Sequence, residues 1–348
     1  MAEARDEPAP MERGGGYNRA SEVQAAGLSP ALPLLRAAAG RVPLPEGTLG
    51  LADYGCSEGR NSMAPMRAAI EALRGRAGPD RPISVVHTDL PDNDFASLFH
   101  ELEGPDSYLR GAQGVWPSAV GRSFYQPILP PGSVTLGWSS WSVQWLSRAP
   151  CPIPDQLQVA FSRDAAARAA YAAQAAADWR AFLAARATEL VPGGRLVVLT
   201  MALDDAGDFG YRPILAAMWE ALGDLVTAGT VHGKEAAAMA IPTVGRSRAD
   251  LLAPFGEDLG LKVETLEIFE GQDRIWAAFQ ADGDAAAYAA RWTAFSRASV
   301  FPTLAARVAP DRRAAFVAGL SEGMERRLAA APTAMTLPLA RMCFVREE

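Results

Sequence analysis

One stretch limits what this chain can fold into more than any other: Leu51-Ala52-Asp53-Tyr54-Gly55-Cys56-Ser57-Glu58-Gly59-Arg60-Asn61-Ser62, an apolar run that ends in an acid and breaks into a glycine turn. Thr48 to Ala52 reads as a buried parallel strand, and a helix starting near Asn61 carries Met66, Ile70 and Leu73. Gly55 and Gly59 permit left-handed or closely approached backbone between the two. A turn of this kind presents backbone N–H groups at a helix N-terminus to a ligand. A dinucleotide site asks for G-x-G-x-x-G with an acid about 20 residues further on. Here Ser57 takes the place of the second glycine and Asp53 precedes the turn. An acid at that point repels a pyrophosphate and suits a ligand with a cationic amino group. A plain tight turn in an α/β domain accounts for the same residues.

With 348 residues, 49% of them hydrophobic and 21% charged, the chain can bury the core of one elaborated soluble domain or of a domain with a cap. A net charge of -7, with Lys and Arg scattered, argues against a nucleic-acid partner. Cys56, Cys151 and Cys343 lie too far apart for a disulfide framework and form no C-x-x-C, which fits a reducing compartment. His87, His100 and His232 have no ligand spacing, so no metal site is expected. No run is long enough to span a membrane and the N-terminus lacks an apolar signal core, so the expectation is a cytoplasmic protein with no membrane partner.

In chain order, residues 1–13 read as a disordered tail and Gly14-Gly15-Gly16 as a flexible arm entering a short helix that sets Tyr17, Ser21 and Gln24 on one face. A solvated helix surface explains that face equally well. Ile83 to Asp89 reads as a second strand ending in an acid, then a turn and a helical piece around Phe95 to Phe99. In doubly wound sheets ligands lie at the strands' carboxyl edge, where an acid such as Asp89 can accept both hydroxyls of a ribose, although a helix cap is an equal reading. Gly121 to Tyr125 reads as a loop or short helix in which Phe124 can flank an adenine, and Ser133 to Trp138 as the next strand. Trp138, Trp141 and Trp145 fall on one helical face, as ordinary core aromatics also do. Residues 161–190 form an Ala-rich helix stopped by Pro192-Gly193-Gly194, and Arg195 to Thr200 is another buried strand. The alternation predicts an α/β doubly wound sheet, mostly parallel. Residues 14–205 and 259–348 would form this core, with 206–258 a helical cap and the helices at 283–329 assigned to either. Leu261 to Phe269 resumes the sheet, and Met335 to Val345 is expected to close its edge as an antiparallel last strand.

Together these segments resemble the SABATH family of carboxyl and nitrogen methyltransferases, known from plants for methylating salicylate, jasmonate, gibberellin, indole-acetate and xanthines. The arm resembles S-Y-A-x-N-S-x-x-Q through Tyr17, Ser21 and Gln24, with Ala20 in place of the Asn. Ala52 to Asn61 is similar to A-D-L-G-C-S-S-G-P-N, and Asp89-Leu90-Pro91-Asp92-Asn93-Asp94-Phe95 to D-L-P-x-N-D-F. Ser123-Phe124-Tyr125 matches an S-F-Y loop, and Ser139 to Pro150 resembles S-S-Y-S-L-x-W-L-S-x-x-P. Asp178, Phe182, Leu183, Arg186 and Glu189 to Arg195 match D-x-x-x-F-L-x-x-R-x-x-E-L-x-P-G-G-R. The likeness covers about residues 14–270.

The resemblance implies a class I methyltransferase fold and S-adenosylmethionine as cosubstrate, leaving S-adenosylhomocysteine. It implies cofactor contacts from Tyr17, Ser21, Asp53, Gly55, Cys56 and Asn61 on the arm and first turn, with Asp89, Leu90, Ser123, Phe124 and Ser140 completing the pocket. Substrate contacts fall on Gln24, Trp141, Gln144, Trp145 and Leu215. Trp141 replaces the usual Tyr, Gln144 sits where salicylate-type enzymes often have His, and Leu215 stands in place of their Trp, so salicylate itself is disfavoured. The family's occasional Mg²⁺ site has no clear counterpart. The expected activity is methyl-ester formation on a small aromatic or indolic carboxylic acid, by positioning alone and without a general base, in a homodimer. The competing readings are N-methylation of a heteroaromatic ring and a non-catalytic S-adenosylmethionine-binding protein; a nucleotide-dependent dehydrogenase is disfavoured by Ser57 and Asp53.

Overall fold

A central strand needs apolar residues on both faces, and Leu49–Tyr54 supplies them: Leu49, Leu51, Ala52 and Tyr54 are all buried. A computed structural model describes residues 10–256 and 258–347. In chain order its elements are α1 (Gly16–Ala20), α2 (Glu22–Leu28), α3 (Leu32–Ala39), β1 (Leu49–Tyr54), α4 (Arg60–Ala77), β2 (Ile83–Asp89), α5 (Phe95–Glu103), β3 (Val115–Gly121), β4 (Val134–Ser140), α6 (Ala165–Glu189), β5 (Leu190–Met201), α7 (Arg212–Thr227), α8 (Gly233–Ala237), α9 (Arg248–Leu252), β6 (Leu261–Glu270), α10 (Arg274–Asp282), α11 (Ala285–Ser299), α12 (Phe301–Ala305), α13 (Arg313–Ala330) and β7 (Pro338–Arg346).

The strands form one sheet in the order β3-β2-β1-β4-β5-β7-β6. The first five are mutually parallel, and β7 runs antiparallel to both β5 and β6. The period of two along the strands sends side chains alternately to two cores. Val197 and Leu199 of β5 join the core containing α3 and α4, whereas Leu196 and Val198 join the core formed by α6 and Phe344. Helices therefore cover both faces, as parallel sheets require. α6 shows why an Ala-rich sequence makes a core helix: Tyr171, Ala175, Asp178, Trp179, Phe182 and Arg186 recur at helical spacing and are buried, and the Asp164 carboxylate caps the start by accepting from Ala167 N–H at 2.7 Å.

The doubly wound, mostly parallel sheet with an antiparallel last strand is as the sequence predicts, but several local expectations are corrected. β7 is inserted between β5 and β6, leaving β6 and not the final strand at the edge. β3 was not anticipated. Trp138 lies in β4 while Trp141 follows it with φ +55°, so the tryptophans share no helix. Pro192-Gly193-Gly194 lies within β5, where the pairing with β4 shifts register, and the helix before it ends at Glu189. The arm is two helices broken at Ser21, not one. Of the expected disordered tail, residues 1–9 lie outside the described residues, while 10–13 are placed, Glu12 N–H donating to the Ala298 carbonyl at 2.9 Å. α7, from the expected cap, packs against α13, which in turn packs against α11. Gly319 and Gly323 of α13 make room for Leu225 and Ala221 of α7.

Candidate active site

Strand order reverses between β1 and β4, and in open α/β sheets the crevice at such a point, beyond the strands' carboxyl ends, is where ligands bind. Two turns meet there. Gly55 has φ +88°, and Ser142 Oγ, from the turn after β4, donates to the Gly55 carbonyl at 3.2 Å. A Cβ on Gly55 would collide with that serine, so glycine is required both for the conformation and for the approach. Asp89, at the end of β2, ties the next two turns together: its carboxylate accepts from Ser57 N–H at 2.7 Å and from Leu90 N–H at 2.8 Å. Burial lifts the Asp89 pKa to about 6, those two N–H groups oppose the rise, and nearby Asp53 adds to it.

The arm is drawn onto this edge by a buried acid. The Glu58 carboxylate accepts from Gly15 N–H at 2.8 Å and Asn18 N–H at 3.0 Å, meeting orphan donors at the start of α1. A second buried cluster fixes the loop after β3. Arg186, fully buried, pairs with Glu189 and donates to the carbonyls of Phe124 at 2.7 Å and Gln126 at 3.0 Å, while Tyr54 Oη donates to Glu189 at 2.7 Å. Asp178 likewise holds the loop after Trp145 by accepting from Ser147 N–H and Oγ–H. The polar residues of α6 thus do scaffold work around the crevice.

These elements enclose a cavity of about 670 Å³. Tyr17, Gly55, Asp89, Leu90, Ser123 and Phe124, all expected at the cofactor, line it. So do Gln24, Trp141, Gln144, Trp145 and Leu215, all expected at the substrate. Ser21, Asp53, Cys56, Asn61 and Ser140 do not. Ser21 Oγ donates to the Asn18 carbonyl at 3.4 Å, and Cys56 is buried. Asp53 is buried, and its Oδ2 accepts from His87 Nδ1–H at 2.8 Å. That tautomer leaves His87 Nε2 to accept from Tyr108 Oη–H at 2.8 Å. The lining also includes residues outside the expected set: Ser57 and Ser142 from the turns, Met201 at the end of β5, Tyr211 and Met218 at α7, and Phe295 on α11. Ser57 lies inside the glycine turn and Ser142 inside the stretch that resembles S-S-Y-S-L-x-W-L; the others carry no local sequence signal.

The acceptor end of the cavity has unusual chemistry. Among the described residues Gln24 Oε1 and Trp141 Nε1 are buried and without a hydrogen-bond partner, in a cavity whose lining also includes Met201, Ile214, Leu215 and Met218. Gln144 Oε1 accepts from Thr200 Oγ at 3.1 Å, which fixes the orientation of its amide. Buried polar groups are nearly always paired, so orphans on a cavity wall mark a place built for a polar ligand.

A family model described as SAM dependent carboxyl methyltransferase matches residues 9–340. The chain belongs to that family. Among curated relatives, methyltransferase FUS9 of Gibberella fujikuroi is 29% identical over 246 residues, which cover 70% of this chain and 66% of that protein, just under two thirds of its length. Gibberellic acid methyltransferase 1 of Arabidopsis thaliana is 28% identical over 285 residues, 73% of this chain and 75% of that one. Among solved structures, loganic acid methyltransferase with SAH superposes with a TM-score of 0.80 at 21% identity, covering 97% of this chain and 99% of that one, which establishes the shared fold. The cosubstrate of the family, S-adenosylmethionine, fits the residues at the cavity's first end. Ser57 Oγ is buried there without a partner among the described residues, and the half-buried Asp89 lines the cavity together with Phe124.

Proposed function

We propose that this protein uses S-adenosylmethionine to form the methyl ester of a small carboxylic acid with an apolar, aromatic or indolic body. The observation that carries the reading is the buried, unpartnered Trp141 Nε1, a donor from which an ionised carboxylate can accept, in the same cavity that Asp89 lines. A carboxylic acid with pKa near ~4 is ionised at neutral pH, so its oxygen is already nucleophilic. Bound S-adenosylmethionine supplies an electrophilic methyl group. The chain's part is placement: Asp89 accepts from the ribose hydroxyls, Phe124 flanks the adenine, and Tyr17, Ser123 and the Gly55–Ser57 turn close that end. At the other end the N–H groups of the Gln24 amide and of the Trp141 and Trp145 indoles donate to the carboxylate, while Leu215 excludes water from it. Holding reactants in line is worth up to about 7–11 kcal/mol, which removes the need for a general base.

In this reading residues 206–258, together with the helices packed on α7, form the cap over the acceptor. The cytoplasm fits three cysteines that are all free, and among the described residues no helix is long and apolar enough to cross a membrane. A homodimer, implied by the resemblance, is tested by sedimentation. The deciding assay incubates the protein with methyl-labelled S-adenosylmethionine and a panel of aromatic, indolic and aliphatic acids, scoring esters by mass spectrometry. Ester formation supports the proposal. Label recovered only as N-methyl product, or donor binding with no transfer to any acid, overturns it.

A further inference from the structure

At the start of α7 the chain adopts a conformation that side chains avoid. Tyr211 has φ +59° and ψ 11°, one of three non-glycine residues at positive φ among the described residues. A left-handed backbone is unfavourable for a residue with a Cβ, and an observed outlier of this kind points to a function that over-determines it. The surroundings do over-determine it. Tyr211 N–H donates to the Thr336 carbonyl at 3.1 Å, and the preceding Gly210, itself at φ +74°, lies so close to that carbonyl that no side chain fits there. The phenol ring is clamped between Phe209, centroids 5.6 Å apart, and Phe295, 6.3 Å apart with the planes 9° from parallel. All three rings line the cavity.

The strained backbone and clamped ring deliver a hydroxyl with nothing to bond. Tyr211 is 2% exposed, and its Oη has no hydrogen-bond partner. The two acids nearest it are engaged elsewhere: Glu270 accepts from Leu337 N–H, and Asp273 accepts from Met335 N–H and Trp276 N–H. Burial and those carboxylates push its pKa upward, so the phenol stays protonated and available as a donor. Its neighbours on the cavity wall, Ile214, Leu215 and Met218, are apolar. The cavity therefore offers a further unsatisfied donor beside apolar residues, in addition to the Gln24 and Trp141 groups.

We infer that Tyr211 Oη is a specificity contact that selects acids carrying a second oxygen function, a hydroxyl or an oxo group, besides the carboxylate that is methylated. This rests on the proposed reading of the Gln24 and Trp141 end as the carboxylate site. That second oxygen accepts from the phenol; an analogue without it leaves the hydroxyl buried and unpaired, which a built hydrogen-bonding site penalises more strongly than a pocket fitted by shape. Tyr211→Phe removes the oxygen and keeps the clamped ring, so it separates recognition from packing.

The test is binding of matched acids by calorimetry in the presence of S-adenosylhomocysteine, where no methyl transfer occurs: para-hydroxybenzoate against benzoate, para-hydroxycinnamate against cinnamate, and ω-hydroxyoctanoate against octanoate. In the parent, the oxygenated member of at least one pair binds about tenfold tighter or more, and in Tyr211→Phe that advantage disappears while the plain member is unaffected. Equal binding within every pair by the parent, or a variant that weakens both members alike, overturns the inference. Ester formation is scored separately with S-adenosylmethionine. Oxygen-dependent binding that requires Tyr211 but yields no ester supports this contact and overturns the proposed reaction, so the two failures are distinguishable.

Discussion

Gly27 on α2 sets the position of the Trp141 indole, and adding one methyl group there tests how the acceptor chamber is built. An ideal Cβ at residue 27 would lie 2.6 Å from Trp141 Cζ2 and 3.2 Å from both Cε2 and Nε1. Carbon atoms pack at about 3.5–4.0 Å, so the indole of a Gly27→Ala variant has to recede by roughly 1 Å. It cannot do so by swinging its backbone, which is left-handed and held by Trp141 N–H donating to the Leu199 carbonyl at 2.9 Å. Overpacking of this kind costs about 1–3 kcal/mol, and the gain in helix propensity from Gly to Ala returns about 1 kcal/mol, leaving a net loss of about 0–2 kcal/mol. Activity should suffer more than stability, because a displacement of about 1 Å in a positioning group can lower kcat/KM by about 10²-fold. Trp141→Tyr takes away the ring that meets the new methyl. The double variant Gly27→Ala with Trp141→Tyr should recover most of the loss relative to Trp141→Tyr alone, with a coupling energy of about 1–3 kcal/mol in the cycle. Steady-state ester formation and chemical denaturation of the four proteins measure both quantities. A Gly27→Ala protein with parental kcat/KM, or a cycle whose effects simply add, would show that the indole does not bear on the chemistry through this contact.

Asp89 should make cosubstrate affinity pH-dependent. With its folded pKa at about 6, the carboxylate loses acceptor capacity as pH falls through that value, so calorimetric affinity for S-adenosylhomocysteine should rise from acid pH to a plateau above about pH 7 and be weak and flat in Asp89→Asn. For stability the sign is opposite: a raised carboxylate pKa favours the folded state below the ordinary value of 3.8, and that contribution is lost as pH rises through about 6. His87→Leu strands the buried Asp53 carboxylate and the Tyr108 hydroxyl, and urea denaturation should register a loss of about 3–5 kcal/mol; an unchanged midpoint would mean that Asp53 is satisfied from elsewhere. Trp145→Phe should lower kcat/KM by a similar factor across a panel of acids, whereas Gln144→Met should reorder the panel, because the Gln144 amide is held by Thr200 and can pair a group that varies among acids. The reverse pattern would exchange the two roles.

The parts of the fold legible in the sequence are those fixed by contacts close along the chain. β1, its glycine turn and α4 could be read from one stretch because the apolar run, the turn and the helical face are consecutive, and β2 ends at Asp89 as expected. β3 was hidden because it is an edge strand: Pro117 interrupts it, Trp116 is 66% exposed, and without a buried face the alternation of polar and apolar residues is weak. The place of β7 depends on whether a late strand adds outside β6 or inserts beside β5, a choice made by pairing partners more than 130 residues apart. The tryptophans misled for a different reason. Their spacing fits a helix, but a positive φ at Trp141 bends the chain immediately after β4, and nothing in the identity of a tryptophan announces a left-handed backbone.

The two acids show the same limit at the site. Asp53 and Asp89 lie at the carboxyl edge of neighbouring strands, each before a turn, and by sequence pattern they are equivalent candidates for the ligand. The register separates them. Asp53 is paired directly with His87 across the parallel ladder, which puts an imidazole donor beside its carboxylate, and Tyr108 closes the chain from beyond α5. Asp89 is paired with Gly121, which has no side chain to offer, so among the described residues its carboxylate is met by the backbone N–H groups of Ser57 and Leu90, and Asp89 lines the cavity. An acid's availability to a ligand is thus decided by its cross-strand neighbour. Placing an acid beside Asp89, as in Gly121→Asp, should raise its pKa further and weaken S-adenosylhomocysteine binding by calorimetry; because the new Cβ also comes within 3.1 Å of Pro91 Cα, Gly121→Ala carries the contact without the charge and should weaken binding less.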